Sequence, residues 1–143
     1  MDNVFVLQHP LVDHHLCRLR DRATPSNIFR ATMRRMSVLL AYEATQDLVL
    51  KDVEVETPLA RTKGRRLNQR IGLVPILRAG LGMVDPVLDL IPEAEVWHLG
   101  FYRDEKTLQP VEYYHKLPPG GAVEVAMILD PMLATGGSAL AAI

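Results

Sequence analysis

Apolar and polar positions change their period along this chain. Val4, Val6 and Leu7 read as a short strand before His9-Pro10. Proline at a first helical position predicts a helix from Pro10 to about Arg20. Thr24-Pro25-Ser26 opens a second helix, with Ser26 as its N-cap. Phe29, Met33, Met36 and Leu40 recur at helical spacing and mark an inward face. Arg30, Arg34 and Arg35 fall on the other side and read as a solvated face. The helix continues toward Tyr42-Glu43-Ala44-Thr45. Further on, Val53 and Val55 alternate with Asp52, Glu54 and Glu56, the period of a half-exposed strand that Pro58 ends. The stretch Arg61 to Arg70, RTKGRRLNQR, reads as a basic loop around Gly64, a solvated connection; an anion or regulatory nucleotide site is the alternative.

The second half carries continuous apolar runs. Ile71 to Leu77 is a compact one, predicting a strand that delivers Arg78-Ala79-Gly80 at its C-terminal end, where ligands bind in open α/β sheets. Gly80 and Gly82 allow a tight turn into a helix carrying Met83, Val84, Val87, Leu88 and Leu90. Asp85-Pro86 predicts a helix start or kink there, since proline is harmless only in a first turn. Glu95 to Phe101 is a further strand, ending in Tyr102-Arg103. Asp104 to Pro119 is long, polar and proline-punctuated, and predicts a mobile arm or hairpin. Tyr113 and Tyr114 are read as packing residues of that arm. After Gly120-Gly121, Val123 to Leu129 is a buried parallel strand and Ser138 to Ile143 the start of a helix. The order of strand, helix, strand, arm, strand, loop and helix is an α/β pattern.

Composition narrows the class without changing this picture. The 143 residues, 48% hydrophobic and 23% charged, fit one globular domain with a modest core. A net charge of −1 argues against a general nucleic-acid or membrane-surface role. No apolar run approaches the roughly 20 residues of a membrane span, and the first residues lack the layout of a signal peptide. The single cysteine, Cys17, forms no internal disulfide, which suits the cytoplasm. His9, Asp13, His14 and His15 match no established zinc spacing.

The candidate chemistry lies in Val123 to Ser138, VEVAMILDPMLATGGS. Asp130-Pro131 stops the strand, and Thr135, Gly136, Gly137 and Ser138 follow in a hydroxyl-rich turn. A strand, a glycine turn and a helix start together make an anion site, because backbone N–H groups converge and the helix N-terminus adds positive potential. No Lys follows the glycines, so this is no Walker loop, and the acid before the turn separates it from GxGxxG. An acid ahead of a phosphate cradle fits a ligand with both hydroxyls and a phosphate. The plain alternative is a strand-to-helix turn whose glycines serve geometry alone.

The run Ile128 to Ser138, ILDPMLATGGS, resembles the 5-phosphoribosyl-1-pyrophosphate loop of uracil phosphoribosyltransferases. HPLV near the start, PILRAGLGM from Pro75 and FYRDEKTLQPVEYYHKLP from Phe101 are similar to that family too, in one register from about Val4 to the last residue. The Asp85-Pro86 pair departs from its usual glycine after the aspartate. The resemblance implies a type I phosphoribosyltransferase-like parallel sheet flanked by helices, with N-terminal helices, a protruding arm and the C-terminal core strands absent. It implies a single incomplete domain over residues 1–143, with an N-terminal helical part to residue 70 and a nucleotide-binding core from residue 71. The implied reaction joins uracil to phosphoribosyl pyrophosphate, giving UMP and pyrophosphate in pyrimidine salvage. By the same resemblance, Leu133, Ala134, Thr135, Gly136, Gly137 and Ser138 cradle the 5′-phosphate, and Asp130, Pro131 and Met132 begin the loop. Asp130 accepts from the ribose hydroxyls, while Arg78 and Arg103 hold the pyrophosphate. Arg103 and Asp130 are the implied catalytic pair. Pro131 replaces the second acid of many phosphoribosyltransferases, as in the uracil-specific branch. Mg²⁺ bound mainly through the substrate, GTP as an activator and a homodimer or larger homo-oligomer are also implied, with no metal held by protein ligands alone.

Two other classes stay open: a phosphoribosyl-pyrophosphate-binding regulator of RNA, and a non-catalytic fragment. The ending in SALAAI, a helix start without a C-cap, carries the expectation that a tail with the uracil-reading loop is missing and that this chain alone forms no UMP.

Overall fold

The computed structural model describes residues 4–103, 110–118, 120 and 122–143, with the backbone alone at Arg103 and Pro110. Helix α1 (Pro10–Arg20) starts where the proline predicts, and His9 caps it: its Nδ1 accepts the Leu11 N–H at 3.1 Å. No strand forms at Val4–Leu7, because neither sheet offers that segment a paired neighbour.

Helix α2 (Ser26–Ala44) corrects two expectations. Ser26 is its first residue and not its cap; Pro25 holds that position, and its carbonyl accepts the Phe29 N–H at 2.8 Å. The buried stripe is Thr32, Met36, Ser37 and Ala41, whereas Phe29 and Leu40 are each 42% exposed. Small residues let α2 lie close to its neighbours α1 and α3 (Leu81–Leu88). Their hydroxyls escape the cost of burial by bonding back along the helix, Thr32 to the Ile28 carbonyl at 2.8 Å and Ser37 to that of Met33 at 2.9 Å.

The basic stretch is not a loop. Leu50–Glu56 forms β1 and Arg61–Leu67 forms β2, an antiparallel hairpin that stands as its own two-stranded sheet. Register explains why: Asp52, Glu54 and Glu56 lie directly opposite Arg65, Lys63 and Arg61. Opposite charges across an antiparallel pair stabilise it.

The main sheet is mixed. Its centre is β3 (Ile71–Leu77), buried along almost its whole length. On one side β3 pairs in parallel with β7 (Val125–Leu129), Pro75 meeting Leu129. On the other it pairs with β4 (Glu95–Val96) and then β5 (His98–Arg103), which hold one register across the break at Trp97. Antiparallel to β5 runs β6 (Pro110–Lys116), so the arm is a hairpin; residues 104–109 and Pro119 of that stretch lie outside the described residues, as does Gly121. Tyr113 sits beside Tyr102, ring centroids 6.3 Å apart, in keeping with an arm-packing role.

The core lies between β3, β7 and α3, around Leu73, Val87, Met83, Val84, Ile91, Ile71 and Leu129. Pro86 neither starts nor precedes α3: the helix begins at Leu81 and carries the buried proline inside it. At the far end of the sheet, β3 and β7 are clamped together. The Arg70 backbone N–H donates to Glu124 Oε2 at 2.6 Å, and the Arg70 guanidinium lies 3.3 Å from Oε1.

Candidate active site

Three parallel strands end on one edge of the sheet, and each delivers a segment singled out by the sequence. β3 ends in Arg78-Ala79-Gly80, β7 in Asp130-Pro131 and the glycine turn, and β5 in Arg103. The pairing of Leu77 with Gly100 and of Pro75 with Leu129 fixes the three ends as neighbours. This edge is where an open α/β sheet places its ligands. For Arg103 the description stops at the backbone.

The first turn depends on a close approach. A Cβ on buried Gly80 would stand 2.3 Å from the Leu129 carbonyl oxygen and 2.7 Å from the Ile76 nitrogen, both backbone. Glycine here does more than let the chain turn. It lets the segment after β3 press against the last residue of β7, so the Arg78 turn and the Asp130 loop share a wall. The Leu77–Arg78 peptide bond is cis, and the Arg78 side chain is exposed.

The second loop is held by local polar contacts. Asp130 Oδ1 accepts the Met132 N–H at 3.2 Å, turning the chain sharply after the strand. Met132 and Leu133 then project outward, 69% and 72% exposed. Gly136 takes φ 77° and ψ 2°, a left-handed conformation that glycine adopts without strain. Directly after it comes α4 (Gly137–Ala141), so Gly136 occupies the cap position of a short helix. The Thr135 hydroxyl lies beside Gly137, 3.7 Å from where a Cβ would be. Residues 136–139 are half-buried while residues 131–135 are exposed.

Sequence reasoning missed the wall contributed by α2. A cavity of about 520 Å³ opens between Phe29, Arg30, Met33 and Arg34 of α2, the Ala79–Gly82 turn, and Pro131 with Met132. Arg34 spans to α3 within it, 3.4 Å from Asp85 and 3.5 Å from Asp89. The α2 arginines therefore flank the two loops. Their spacing of four along one helix was the available signal.

A family profile described as uracil phosphoribosyltransferase matches residues 6–143. The chain belongs to the uracil phosphoribosyltransferase family. It is 59% identical over 143 residues to the uracil phosphoribosyltransferase of Roseiflexus castenholzii, covering 100% of this chain and 69% of that one. With the uracil phosphoribosyltransferase of Alkaliphilus oremlandii it shares 56% over 144 aligned residues, again 100% of this chain and 69% of the other. The solved AQ2163 protein from Aquifex aeolicus has the same fold, with a TM-score of 0.89 and 39% identity over 96% of this chain. This chain spans 66% of the Aquifex protein's length. The uracil phosphoribosyltransferases it matches are glycosyltransferases of the pentosyl-transferring class. No helix among the described residues is long and apolar enough to cross a membrane.

Proposed function

We propose that this chain binds 5-phosphoribosyl-1-pyrophosphate on the edge formed by β3, β5 and β7, as the donor half of a uracil phosphoribosyl transfer. In that reaction N1 of uracil forms a bond to C1′ of the donor, the bond from C1′ to the pyrophosphate oxygen breaks, and the N1 proton is lost. UMP and pyrophosphate leave, and the transfer serves pyrimidine salvage. The observation that carries this reading is the Gly136 turn beside Asp130, which supplies an anion cradle and a hydroxyl acceptor in one loop.

The roles follow from chemistry. Backbone N–H groups from Leu133 to Ser138, with the Thr135 and Ser138 hydroxyls, hold the 5′-phosphate. Asp130 accepts from the ribose hydroxyls. Arg78 and Arg103 take the pyrophosphate, for which a guanidinium fork is well shaped. Positive charge builds at C1′ as pyrophosphate departs, so positioning and neutralisation of the leaving charge supply the rate.

Asp130 is the one carboxylate of the loop and Pro131 follows it, so a divalent ion finds too few protein oxygens to be held by the loop alone. Mg²⁺ would enter bridged by the donor's own oxygens, where it neutralises the pyrophosphate. GTP activation attaches to no particular residue here. A homo-oligomer is supported by the exposed apolar run Val4, Phe5 and Val6, with Phe5 92% exposed. The net charge of −1 favours this reading over an RNA-binding regulator.

Calorimetric titration tests the proposal. Phosphoribosyl pyrophosphate with Mg²⁺ should bind more tightly than ribose 5-phosphate, and Asp130→Ala should weaken both. Absence of donor binding by the folded wild-type chain would overturn it.

A further inference from the structure

The cavity beside the two loops holds three charged side chains, Arg30, Arg34 and Asp85. Arg34 is committed: its guanidinium bridges Asp85 and Asp89 and ties α2 to α3. Arg30 makes no ion pair or hydrogen bond among the described residues and is exposed. With Arg34 answered by two carboxylates, the uncompensated charge of the cavity is Arg30's. The remaining walls, Phe29, Met33, Leu81 and Met132, are apolar and offer Arg30 no counter-charge. One wall is Ala79, the residue after Arg78; another is Pro131, the residue after Asp130. An anion held between Arg78 and Asp130 therefore borders this space.

We infer that Arg30 is a third guanidinium of the donor site, a ligand of the pyrophosphate group supplied by α2. This rests on the reading of residues 130–138 as the phosphoribosyl cradle. Arg30 is nearly fifty residues before the Arg78 turn in sequence, and the packing of α2 on α3 brings it to the sheet edge. That placement gives α2 a part in neutralising the leaving group. A free guanidinium pays for its position here only when an anion arrives, so its contribution appears in pyrophosphate-bearing ligands and not in ligands with the 5′-phosphate alone.

The test is calorimetric titration of the wild type, Arg30→Gln and Asp85→Asn with inorganic pyrophosphate, ribose 5-phosphate and phosphoribosyl pyrophosphate, with Mg²⁺ constant. Arg30→Gln should weaken both pyrophosphate-bearing ligands roughly tenfold and leave ribose 5-phosphate unchanged. Asp85→Asn removes a negative charge from the cavity and should tighten them, a change of sign that loss of packing cannot produce. Circular dichroism of each variant establishes that it is folded. Unchanged pyrophosphate affinity in Arg30→Gln, or an equal loss for ribose 5-phosphate, would overturn the assignment of Arg30. If the wild type binds neither donor nor ribose 5-phosphate, the cradle reading itself fails, and the two failures are thereby distinguished.

Discussion

Replacing Gly136 with alanine isolates one physical cost. At φ 77° and ψ 2° the residue is left-handed, and an added Cβ would meet only the Leu133 Cδ1, at 3.9 Å. Space is open, so the penalty is the backbone's alone, about 1–2 kcal/mol for an L-residue with a side chain. That corresponds to a factor of about 5–30 in the ratio of formed to unformed turn. If donor binding needs this turn, affinity falls by up to that factor, because only the competent fraction binds. Gly136→Asn should keep most of the affinity, since asparagine visits this conformation routinely, and Gly136→Val should lose more than alanine does. The assay is calorimetric titration with phosphoribosyl pyrophosphate, alongside a thermal melt to establish that the sheet persists. Wild-type affinity in Gly136→Ala would refute the reasoning, as would equal losses in the alanine and asparagine variants.

Three other outcomes are expected. Gly80→Ala drives a Cβ into the Leu129 carbonyl and the Ile76 backbone, so it should cost about 1–3 kcal/mol or more and lower the melting temperature by several degrees; an unshifted melt would mean that the β3 turn does not press on β7. Arg78→Ala should weaken phosphoribosyl pyrophosphate by roughly tenfold or more while sparing ribose 5-phosphate, measured by titration, and equal losses would remove Arg78 from the pyrophosphate. The Arg70 backbone N–H, and then its guanidinium, hold the Glu124 carboxyl below the usual carboxylate range. A depressed folded-state value stabilises the fold above the unfolded value and loses that contribution as pH falls through the folded one. Urea melts of Glu124→Gln should therefore differ from wild type near neutrality and converge in acid; a gap that persists in acid would contradict the clamp.

The centre of the parallel core was legible in the sequence because β3 is buried along almost its whole length, whereas β7 is shorter than the predicted Val123 to Leu129 run and only partly buried, with Ala126 exposed. Ile71 to Leu77 forms a strand with the bounds its apolar run predicts. The arm emerged as a hairpin, and the Asp130 stop and glycine turn fell where the composition placed them. What was not legible depends on partners distant in sequence. Arg61 to Leu67 became a strand because Asp52, Glu54 and Glu56 lie opposite it, a relation that a composition scan of either stretch alone does not contain. The buried face of α2 uses Thr32 and Ser37, which pattern reading counts as polar; their bonds to the helix carbonyls make them fit for burial. Gly80 looked like a turn residue, and its close fit against Leu129 needed the pairing of β3 with β7. The α2 wall of the site was read as solvated face, because the packing of α2 on α3 is what turns Arg30 and Arg34 toward the loops.

The central claim is that the loop after β7 and the turn after β3 bind opposite ends of one donor molecule. A crystal structure of the chain with phosphoribosyl pyrophosphate and Mg²⁺ tests it most directly. The account predicts the 5′-phosphate within hydrogen-bond distance of the backbone N–H groups of Thr135 to Ser138, the ribose hydroxyls on Asp130, and the pyrophosphate at Arg78. A donor bound with its 5′-phosphate away from this turn, or with its pyrophosphate away from Arg78, would contradict it.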